Sequence, residues 1–334
     1  MGPTDPLTRW IARLREAGPP CGTGLSPTGA AEAWNAALDA LDPAVLAELG
    51  ERPGRPWRRV AIVAARGAFT APIEWCAAFL AAGSSVGLKC PAGDETGRHL
   101  VGLSDDLPFE QIERPAVREA DLAVAMGANE TVARIAADRQ GTTLCFGHRF
   151  SAAWITGTPL EPDPLLPQGW SVDPFAALAA DLALYDTRGC LSPALVLTPR
   201  PPEEIARALA PWMAAAQARW PRGEVSPATH ADIRARRALA RATTGLVVDG
   251  DGWSIFGLLP QHVLPVALPR VAIVHQADLS ALAPWAPHWS TLGVDAPHHG
   301  VPPTVRVCRI GRMQRPPLTR LHDGVDWLAA TRQA

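Results

Sequence analysis

Short apolar runs alternate with helical segments from residue 60 to residue 147, and this alternation leaves few folds open to the chain. The runs predict strands at VAIVAA (60–65), SVGLK (85–89), DLAVAM (121–126) and TTLCFG (142–147). The segments around them have helical spacing and predict helices over 72–83, 94–103 and 129–139. Because short strands separated by helices form βαβ units, we expect an α/β fold with a mainly parallel sheet covered on both faces.

A second α/β region follows the Pro-rich connector at 156–170. Its periodicity predicts helices over 174–186, 202–219, 227–241 and 278–292, and strands over 193–199, 245–249, 253–258, 270–274 and 304–310. The chain is therefore expected to form two α/β domains, preceded by helices over 7–17 and 29–49.

Charge and cysteine content exclude several classes of protein. The 334 residues include 31 basic and 33 acidic ones, so nothing favours nucleic acid or a membrane surface as a partner. The N-terminus carries charges where a signal peptide is apolar, and no apolar run could span a bilayer, which predicts a cytoplasmic protein. Six cysteines occur without C-x-x-C pairs or zinc spacing, so we expect free thiols and no metal site.

Cys190 stands in DTRGCLSP, between a predicted helix and a predicted strand. A thiol on such a loop could act as a nucleophile, with Gly189 allowing a tight backbone and Arg188 or Lys89 favouring the thiolate. The alternative is a buried thiol that packs as a small hydrophobic residue. The residues alone leave both interpretations open.

Polar residues follow the predicted strands at the edge where parallel sheets bind ligands. Lys89, the only lysine in the chain, could hold a nucleotide phosphate or ribose, or be a solvated side chain. Gly127 and the helix capped by Asn129 could receive a phosphate, or form a simple capped turn. His148 could act as an acid or base, or have a structural role.

Four segments of the sequence together resemble the LuxC-type acyl-CoA reductases, which belong to the aldehyde dehydrogenase superfamily. They are MGANETVARIAA, FGHRFSAA, DLALYDTRGCLSP and GRMQRPPLTRLHDG. The resemblance covers residues 56–330, and the motifs occur in the same order as in the family. Lys89 and Pro91 match a Lys-x-Pro motif that the superfamily shares.

The resemblance implies an aldehyde-dehydrogenase-like fold with a Rossmann-type parallel cofactor-binding sheet and an α/β catalytic domain. On this basis the chain divides into an N-terminal helical segment (1–55), an NAD(P)-binding domain (56–155), a catalytic cysteine domain (156–300) and a C-terminal segment that returns to the domain interface (301–334).

The same resemblance implies a chemistry. Cys190 would attack the thioester of an acyl-CoA, or of an acyl-carrying partner protein, and NADPH, with NADH as the alternative, would reduce the acyl-cysteine to an aldehyde. Lys89 would contact the adenosine ribose or its 2′-phosphate. Gly127, Asn129 and Thr131 would lie along the cofactor.

The sequence also departs from the superfamily pattern. FGHRFS holds no glutamate where hydrolytic aldehyde dehydrogenases carry their base, which leaves His148 as the acid–base candidate. The turn Arg66-Gly67-Ala68-Phe69-Thr70 replaces a Gly-Asn-x-Pro turn, so the backbone N–H of Cys190, or Thr70, would have to replace an asparagine oxyanion donor. The alternative function is an acyl-accepting or structural subunit with a degraded cofactor site and no hydride transfer. Either protein could form a homo-oligomer.

Overall fold

A computed structural model of the protein describes residues 5–262 and 266–333. Its α-helices, numbered in chain order, are α1 (Pro6–Ala17), α2 (Pro27–Asp39), α3 (Pro43–Glu51), α4 (Ala71–Ala81), α5 (Thr96–Gly102), α6 (Arg114–Glu119), α7 (Asn129–Ala137), α8 (Pro174–Ala183), α9 (Pro202–Arg219) and α10 (Pro227–Thr243).

The strands are β1 (Arg55–Pro56), β2 (Arg59–Val63), β3 (Ser85–Lys89), β4 (Phe109–Gln111), β5 (Leu122–Met126), β6 (Thr142–Phe146), β7 (Phe150–Trp154), β8 (Pro193–Thr198), β9 (Val247–Gly250), β10 (Trp253–Gly257), β11 (Val271–Gln276), β12 (Trp289–Val294), β13 (Arg306–Arg309) and β14 (Arg332–Gln333). The strands predicted over 60–65, 85–89, 121–126 and 142–147 are confirmed as β2, β3, β5 and β6.

An acidic or hydroxyl side chain followed by proline starts several of these helices. In α8, Asp173 Oδ1 accepts hydrogen bonds from the backbone N–H of Phe175 (2.8 Å) and of Ala176 (3.1 Å), and Pro174 takes the first helical position. The cap satisfies donors that have no partner within the helix, and proline has no N–H to satisfy there. The same pairing begins α1, α3 and α10.

The chain divides into two compact units. The first unit comprises Met1–Thr23, Ala33–His148 and Pro317–Ala334, and the second comprises Gly24–Glu32 and Arg149–Pro316. Each unit is therefore built from separate stretches of the chain, and α2 begins in one and ends in the other.

The first unit holds a five-stranded sheet with the order β4-β3-β2-β5-β6, and all of its neighbouring strands are parallel. β5 is buried at every residue, as a central strand with both faces covered requires. The short strands β1 and β14 pair antiparallel in the same unit. The predicted parallel sheet is thus confirmed.

The second unit holds a seven-stranded sheet with the order β13-β12-β7-β8-β11-β10-β9, parallel except between β9 and β10. Along β8, Val196 packs into one apolar cluster, with α8 and α9, while Leu195 and Leu197 pack into another. Both faces of this sheet are therefore buried, which confirms the predicted second α/β region.

The helix predicted over 278–292 is wrong. Leu279–His288 forms 3₁₀ turns that contain Pro284 and Pro287, and the chain then enters β12. Because proline lacks an N–H and its ring clashes with the preceding turn, two prolines this close prevent a regular α-helix. β7 was not predicted, although it lies next to β8 near the middle of the sheet.

No helix within the described residues combines the length and the apolar character that crossing a membrane requires.

Candidate active site

Cys190 lies in the second unit, on the loop that connects α8 to β8, and it is exposed. The interpretation of this thiol as a buried packing residue is therefore wrong. A backbone hydrogen bond from Ser192 N to Gly189 O (3.0 Å) closes a tight turn with Cys190 at its second position. The thiol thus projects from a turn whose two ends are joined.

Left-handed backbone occurs in this loop before the cysteine, at Asp186 (φ 50°) and Thr187 (φ 57°). Gly189, expected to allow a tight backbone, is the first residue of the turn; its φ is not positive, and the nearest atom that a Cβ there would meet is Ser192 Oγ at 3.9 Å. Two adjacent non-glycine residues with positive φ, one of them β-branched, are strained, and such strain concentrates at functional sites.

A buried ion pair holds the strained residues in place. Arg270 Nε donates to Asp186 Oδ1 at 2.5 Å, and both side chains are 1% exposed. Gly223 N donates to the other carboxylate oxygen of Asp186 (2.8 Å), and Arg270 Nη2 donates to Trp220 O (2.6 Å). Thr187 Oγ1 donates to Leu182 O at 3.0 Å. The part of the loop that precedes Cys190 is thus held by several elements of the second unit.

The backbone of Cys190 is held by a serine on β7. Ser151 Oγ donates to Cys190 O at 2.6 Å, and it accepts a hydrogen bond from Thr291 N at 3.1 Å. Arg188, named above as a cation that could favour the thiolate, donates a hydrogen bond to Glu224 O.

The GRMQ segment (311–314) closes around a buried acid of α8. Asp181, 1% exposed, accepts hydrogen bonds from Gly311 N (2.5 Å), Met313 N (3.1 Å) and Gln314 N (3.4 Å). Burial raises the pKa of Asp181 to about 7, against the opposing effect of the backbone donors. The motif is thus part of the second unit and lies against the helix that leads into the cysteine loop.

Replacement of Asp181 by asparagine is expected to change how stability depends on pH. The folded pKa near 7 exceeds the unfolded value of about 3.9, so the folded state binds more protons between these values. The contribution of Asp181 to stability is therefore complete below about pH 4 and is lost as the pH rises to about 7. The free energy of unfolding can be measured for both proteins in urea. The excess of wild type over Asp181→Asn should fall by roughly 2–4 kcal/mol from pH 4.5 to 8.

Asp138→Asn is the control for this experiment. Hydrogen bonds from Arg114 and Arg118 lower the pKa of Asp138, which lies on the surface of the first unit. A lowered carboxyl pKa gives stability that is lost only as the pH falls through the folded value, so this variant should show no change between pH 5 and 8. An equally flat difference for Asp181→Asn would contradict the raised pKa.

In the first unit, the carboxyl ends of the parallel strands bring several predicted residues to one edge. Val63 of β2 is paired with Lys89 on one side and with Ala125 on the other, and Met126 is paired with Phe146. Lys89 Nζ donates to Cys90 O (2.9 Å) and forms an ion pair with Glu113 (3.3 Å). The only lysine therefore has an acidic partner at the start of α6.

Gly127 follows β5 with φ 147°, a conformation that favours glycine, and an added Cβ would meet nothing within 4 Å. The predicted capping role of Asn129 is wrong, since Ala128 occupies the cap without a side-chain hydrogen bond. Asn129 Oδ1 instead accepts from His148 N at 2.8 Å and ties α7 to the end of β6. Thr131 lies in the first turn of α7 and is partly exposed.

His148 ends the stretch Ala33–His148 of the first unit, and it is exposed. The glycine before it is required by its surroundings, because a Cβ on Gly147 would lie 2.2 Å from Asn129 Oδ1.

Thr70 immediately precedes α4 and is buried. In the described residues, no cluster of three or more His, Cys, Asp and Glu side chains is suited to a metal ion.

The structure thus gathers Lys89, Gly127, Asn129 and His148 at the strand ends of one unit, and it presents Cys190 on a fixed loop of the other. Sequence reasoning missed Asp181, Asp186 and Arg270, which hold that loop. The sequence holds a sign of the role of Asp181, because Asp181 is the only charged residue in the otherwise apolar run PFAALAADLALY. It holds no such sign for Arg270, because the ion-pair partner of Arg270 lies 84 residues away.

Comparison with known proteins places this architecture among the aldehyde dehydrogenases. An NAD-dependent benzaldehyde dehydrogenase from Corynebacterium glutamicum matches at 14% identity with a TM-score of 0.58, over 87% of this chain and 75% of its own. A glyceraldehyde-3-phosphate dehydrogenase from Methanocaldococcus jannaschii, complexed with NADP, matches at 9% identity with a TM-score of 0.63, over 86% and 74%. At these identities the likeness shows the fold alone, which confirms the α/β, aldehyde-dehydrogenase-like class.

No curated protein matches the sequence. The profile of the LuxC acyl-CoA reductase family matches residues 101–331, a stretch that includes Gly127, His148, the Cys190 loop and the GRMQ segment. A match over more than half of the chain establishes the relationship: the chain belongs to the LuxC acyl-CoA reductase family, a family of oxidoreductase enzymes.

Proposed function

We propose that the protein reduces an acyl thioester, carried by coenzyme A or by a partner protein, to an aldehyde through a covalent acyl group on Cys190. The observation that carries this proposal is the exposed thiol on a loop that contains strained backbone at Asp186 and Thr187 and is held by several buried contacts, within the part of the chain that matches the family. Strain of this kind persists only where the surrounding structure holds it, and it is characteristic of catalytic loops.

In the first step, the Cys190 thiolate forms a bond to the thioester carbonyl carbon. The resulting tetrahedral oxyanion collapses, the bond between carbon and the coenzyme A sulfur breaks, and coenzyme A leaves as a thiol with the proton that Cys190 gave up. One difficult reduction is thereby divided into two easier steps. Ser151 holds the Cys190 carbonyl throughout, so that the sulfur starts from a fixed backbone position.

The strand-end edge of the first unit fits a dinucleotide. Gly127 leaves open space, the first turn of α7 has no side-chain cap, and Lys89 ends a neighbouring strand. Backbone N–H groups at a helix start favour phosphate, and ligands of parallel sheets bind beyond the carboxyl ends of the strands. We propose that Lys89 holds the adenosine ribose or its 2′-phosphate, and that Gly127, Asn129 and Thr131 lie along the cofactor.

A bound reduced nicotinamide, NADPH in this proposal with NADH as the alternative, supplies the hydride that turns the acyl-cysteine into a thiohemiacetal. The carbonyl oxygen takes up one proton, for which His148 is the proposed donor. The thiohemiacetal then loses its hydroxyl proton, the carbon–sulfur bond breaks, and Cys190 recovers its proton as the aldehyde departs.

The test follows both steps on the wild-type protein. After incubation with an acyl-CoA, intact mass should show a single acyl adduct, which peptide mapping places on Cys190. Addition of NADPH should discharge the adduct and produce one aldehyde per NADPH oxidised. An adduct that NADPH and NADH both leave in place would overturn the reductase and favour an acyl-accepting protein. Absence of any adduct would favour a structural subunit.

Lys89→Met is expected to weaken NADPH binding by roughly 10- to 100-fold, because a charge-assisted hydrogen bond contributes about 1.5–3 kcal/mol. The dissociation constant can be measured by titrating nucleotide fluorescence. Glu113→Gln removes the acidic partner of Lys89 and keeps the ammonium. This variant should therefore increase the affinity for NADPH more than the affinity for NADH.

Arg98→Met serves as the matched control, since Arg98 is an exposed cation of the first unit that forms an ion pair with the nearby Glu95. It should leave nucleotide affinity unchanged. Unchanged affinity in Lys89→Met would contradict the role proposed for Lys89.

A further inference from the structure

The side-chain amide of Gln314 joins the end of α8 to the turn that carries Cys190. Gln314 Nε2 donates to Asp181 O at 3.2 Å and also donates to Ser192 Oγ. Gln314, Asp181 and Ser192 are all buried, at 5%, 1% and 1% exposure. Both N–H bonds of the amide are thus directed at acceptors that lie on either side of the cysteine in the sequence.

Ser192 is the far end of the cysteine turn, since its N–H closes the turn onto Gly189 O. The loop that leads to this turn continues directly from the end of α8, in which Asp181 supplies the other acceptor. Gln314 therefore connects the entry and the exit of the loop 184–192. A shift of either end would break a buried hydrogen bond, which leaves a polar group without a partner and costs free energy.

Gln314 is itself fixed. Its backbone N–H and those of Gly311 and Met313 surround the Asp181 carboxylate, and Arg306 Nη2 donates to Met313 O at 2.5 Å. The side chain that locks the loop thus starts from a backbone anchored on the same helix.

We infer that Gln314 is a positioning residue for Cys190, acting through Ser192, so that the GRMQ segment serves the acylation step without contacting the substrate. This inference rests on the proposed function, because positioning matters only if the thiol must meet a carbonyl in one geometry. Misplacing a reacting atom by about 1 Å can lower a rate by about 10²-fold. Alkylation by a small diffusing reagent has no comparable orientational demand.

The test compares two reactions of the same sulfur in Gln314→Met, which keeps the length of the side chain and removes both donors. The single-turnover acylation rate at saturating acyl-CoA should fall by roughly 30- to 100-fold, with little change in the acyl-CoA concentration at half saturation. The rate of Cys190 alkylation by iodoacetamide should change by less than about threefold. Loss of both rates in parallel, or of neither, would overturn the inference.

Gln276→Met is the matched control, because Gln276 is exposed at the end of β11 in the same unit and its amide donates to Pro199 O at 3.4 Å. It should leave both rates unchanged. Ser192→Ala, a smaller change, should slow acylation selectively as well and decides the question if Gln314→Met fails to fold.

A double-mutant cycle completes the test. If Gln314 acts through Ser192, the acylation defect of Gln314→Met should be much smaller in the Ser192→Ala background than in wild type. Additive effects would overturn the inference. Wild-type protein that takes up no acyl group would refute the proposed function and this inference together, whereas normal acylation by Gln314→Met would refute the inference alone.

Discussion

Cys190→Ala is expected to abolish acyl adduct formation and to lower thioester-dependent NADPH oxidation by at least roughly 10³-fold, the scale of losses seen when a catalytic nucleophile is removed. The thiol is exposed, so its removal leaves no cavity. The hydrogen bond from Ser151 reaches the backbone carbonyl of residue 190, and alanine preserves it. The thermal midpoint should therefore move by no more than about 2 °C.

Cys145→Ala controls for the mere loss of an exposed thiol, because Cys145 is exposed on β6 of the first unit. This variant should acylate and reduce at the wild-type rate. Continued reduction of the thioester by Cys190→Ala would exclude a covalent acyl-cysteine, whereas equal losses in both variants would point to damage to the fold.

Arg270→Met is expected to destabilise the second unit by about 3–5 kcal/mol, because it leaves the buried Asp186 carboxylate without its cation. For a unit of this size that corresponds to a fall in the thermal midpoint of about 10 °C. Asp186 and Thr187 have left-handed backbone that this pair helps to hold, so acylation should slow as well. Calorimetry and the single-turnover acylation rate measure the two effects.

The matched control is Arg200→Met, which breaks an exposed ion pair between Arg200 and Glu204 on α9. Exposed pairs contribute about 0–1 kcal/mol, so the thermal midpoint should shift by only a few degrees. Asp186→Asn combined with Arg270→Met should be less destabilised than Arg270→Met alone, since no uncompensated charge is then buried. Equal stability of wild type and Arg270→Met would contradict the role given to the pair.

The sequence alone predicted best the strands that are buried on both faces, because such strands consist mostly of apolar residues. β2, β3 and β5 are apolar along most of their length, so their pattern could hardly belong to a surface strand. β7 was missed because Phe-Ser-Ala-Ala-Trp holds small residues of low strand propensity, and its buried Ser151 and Ala152 depend on the neighbouring β8 and β12. The helix expected over 278–292 failed because apolar spacing outweighed Pro284 and Pro287 in the prediction.

The same distinction applies to the candidate site. The exposure of Cys190 on a loop follows from its place between a helix and a strand, which are local features. The role of Asn129 depends on its contact with His148 across 19 residues, and the contacts of the GRMQ segment with Asp181 span 130 to 133 residues. Periodicity reports the secondary structure around each residue, but it holds no information on which distant backbone will meet a given side chain.

The interleaved composition of the two units has a consequence for synthesis on the ribosome. The first unit includes Pro317–Ala334, in which Trp327 packs against Trp75 (ring centroids 4.2 Å apart) and β14 pairs with β1. These contacts can form only after residues 327–333 have been translated, when the sheet residues of that unit, 59–146, have long since emerged. The face of Trp75 that meets Trp327 therefore lacks its native partner until that segment has been synthesised, and a premature stop near residue 316 would leave the earlier-synthesised unit, rather than the later one, without this aromatic contact.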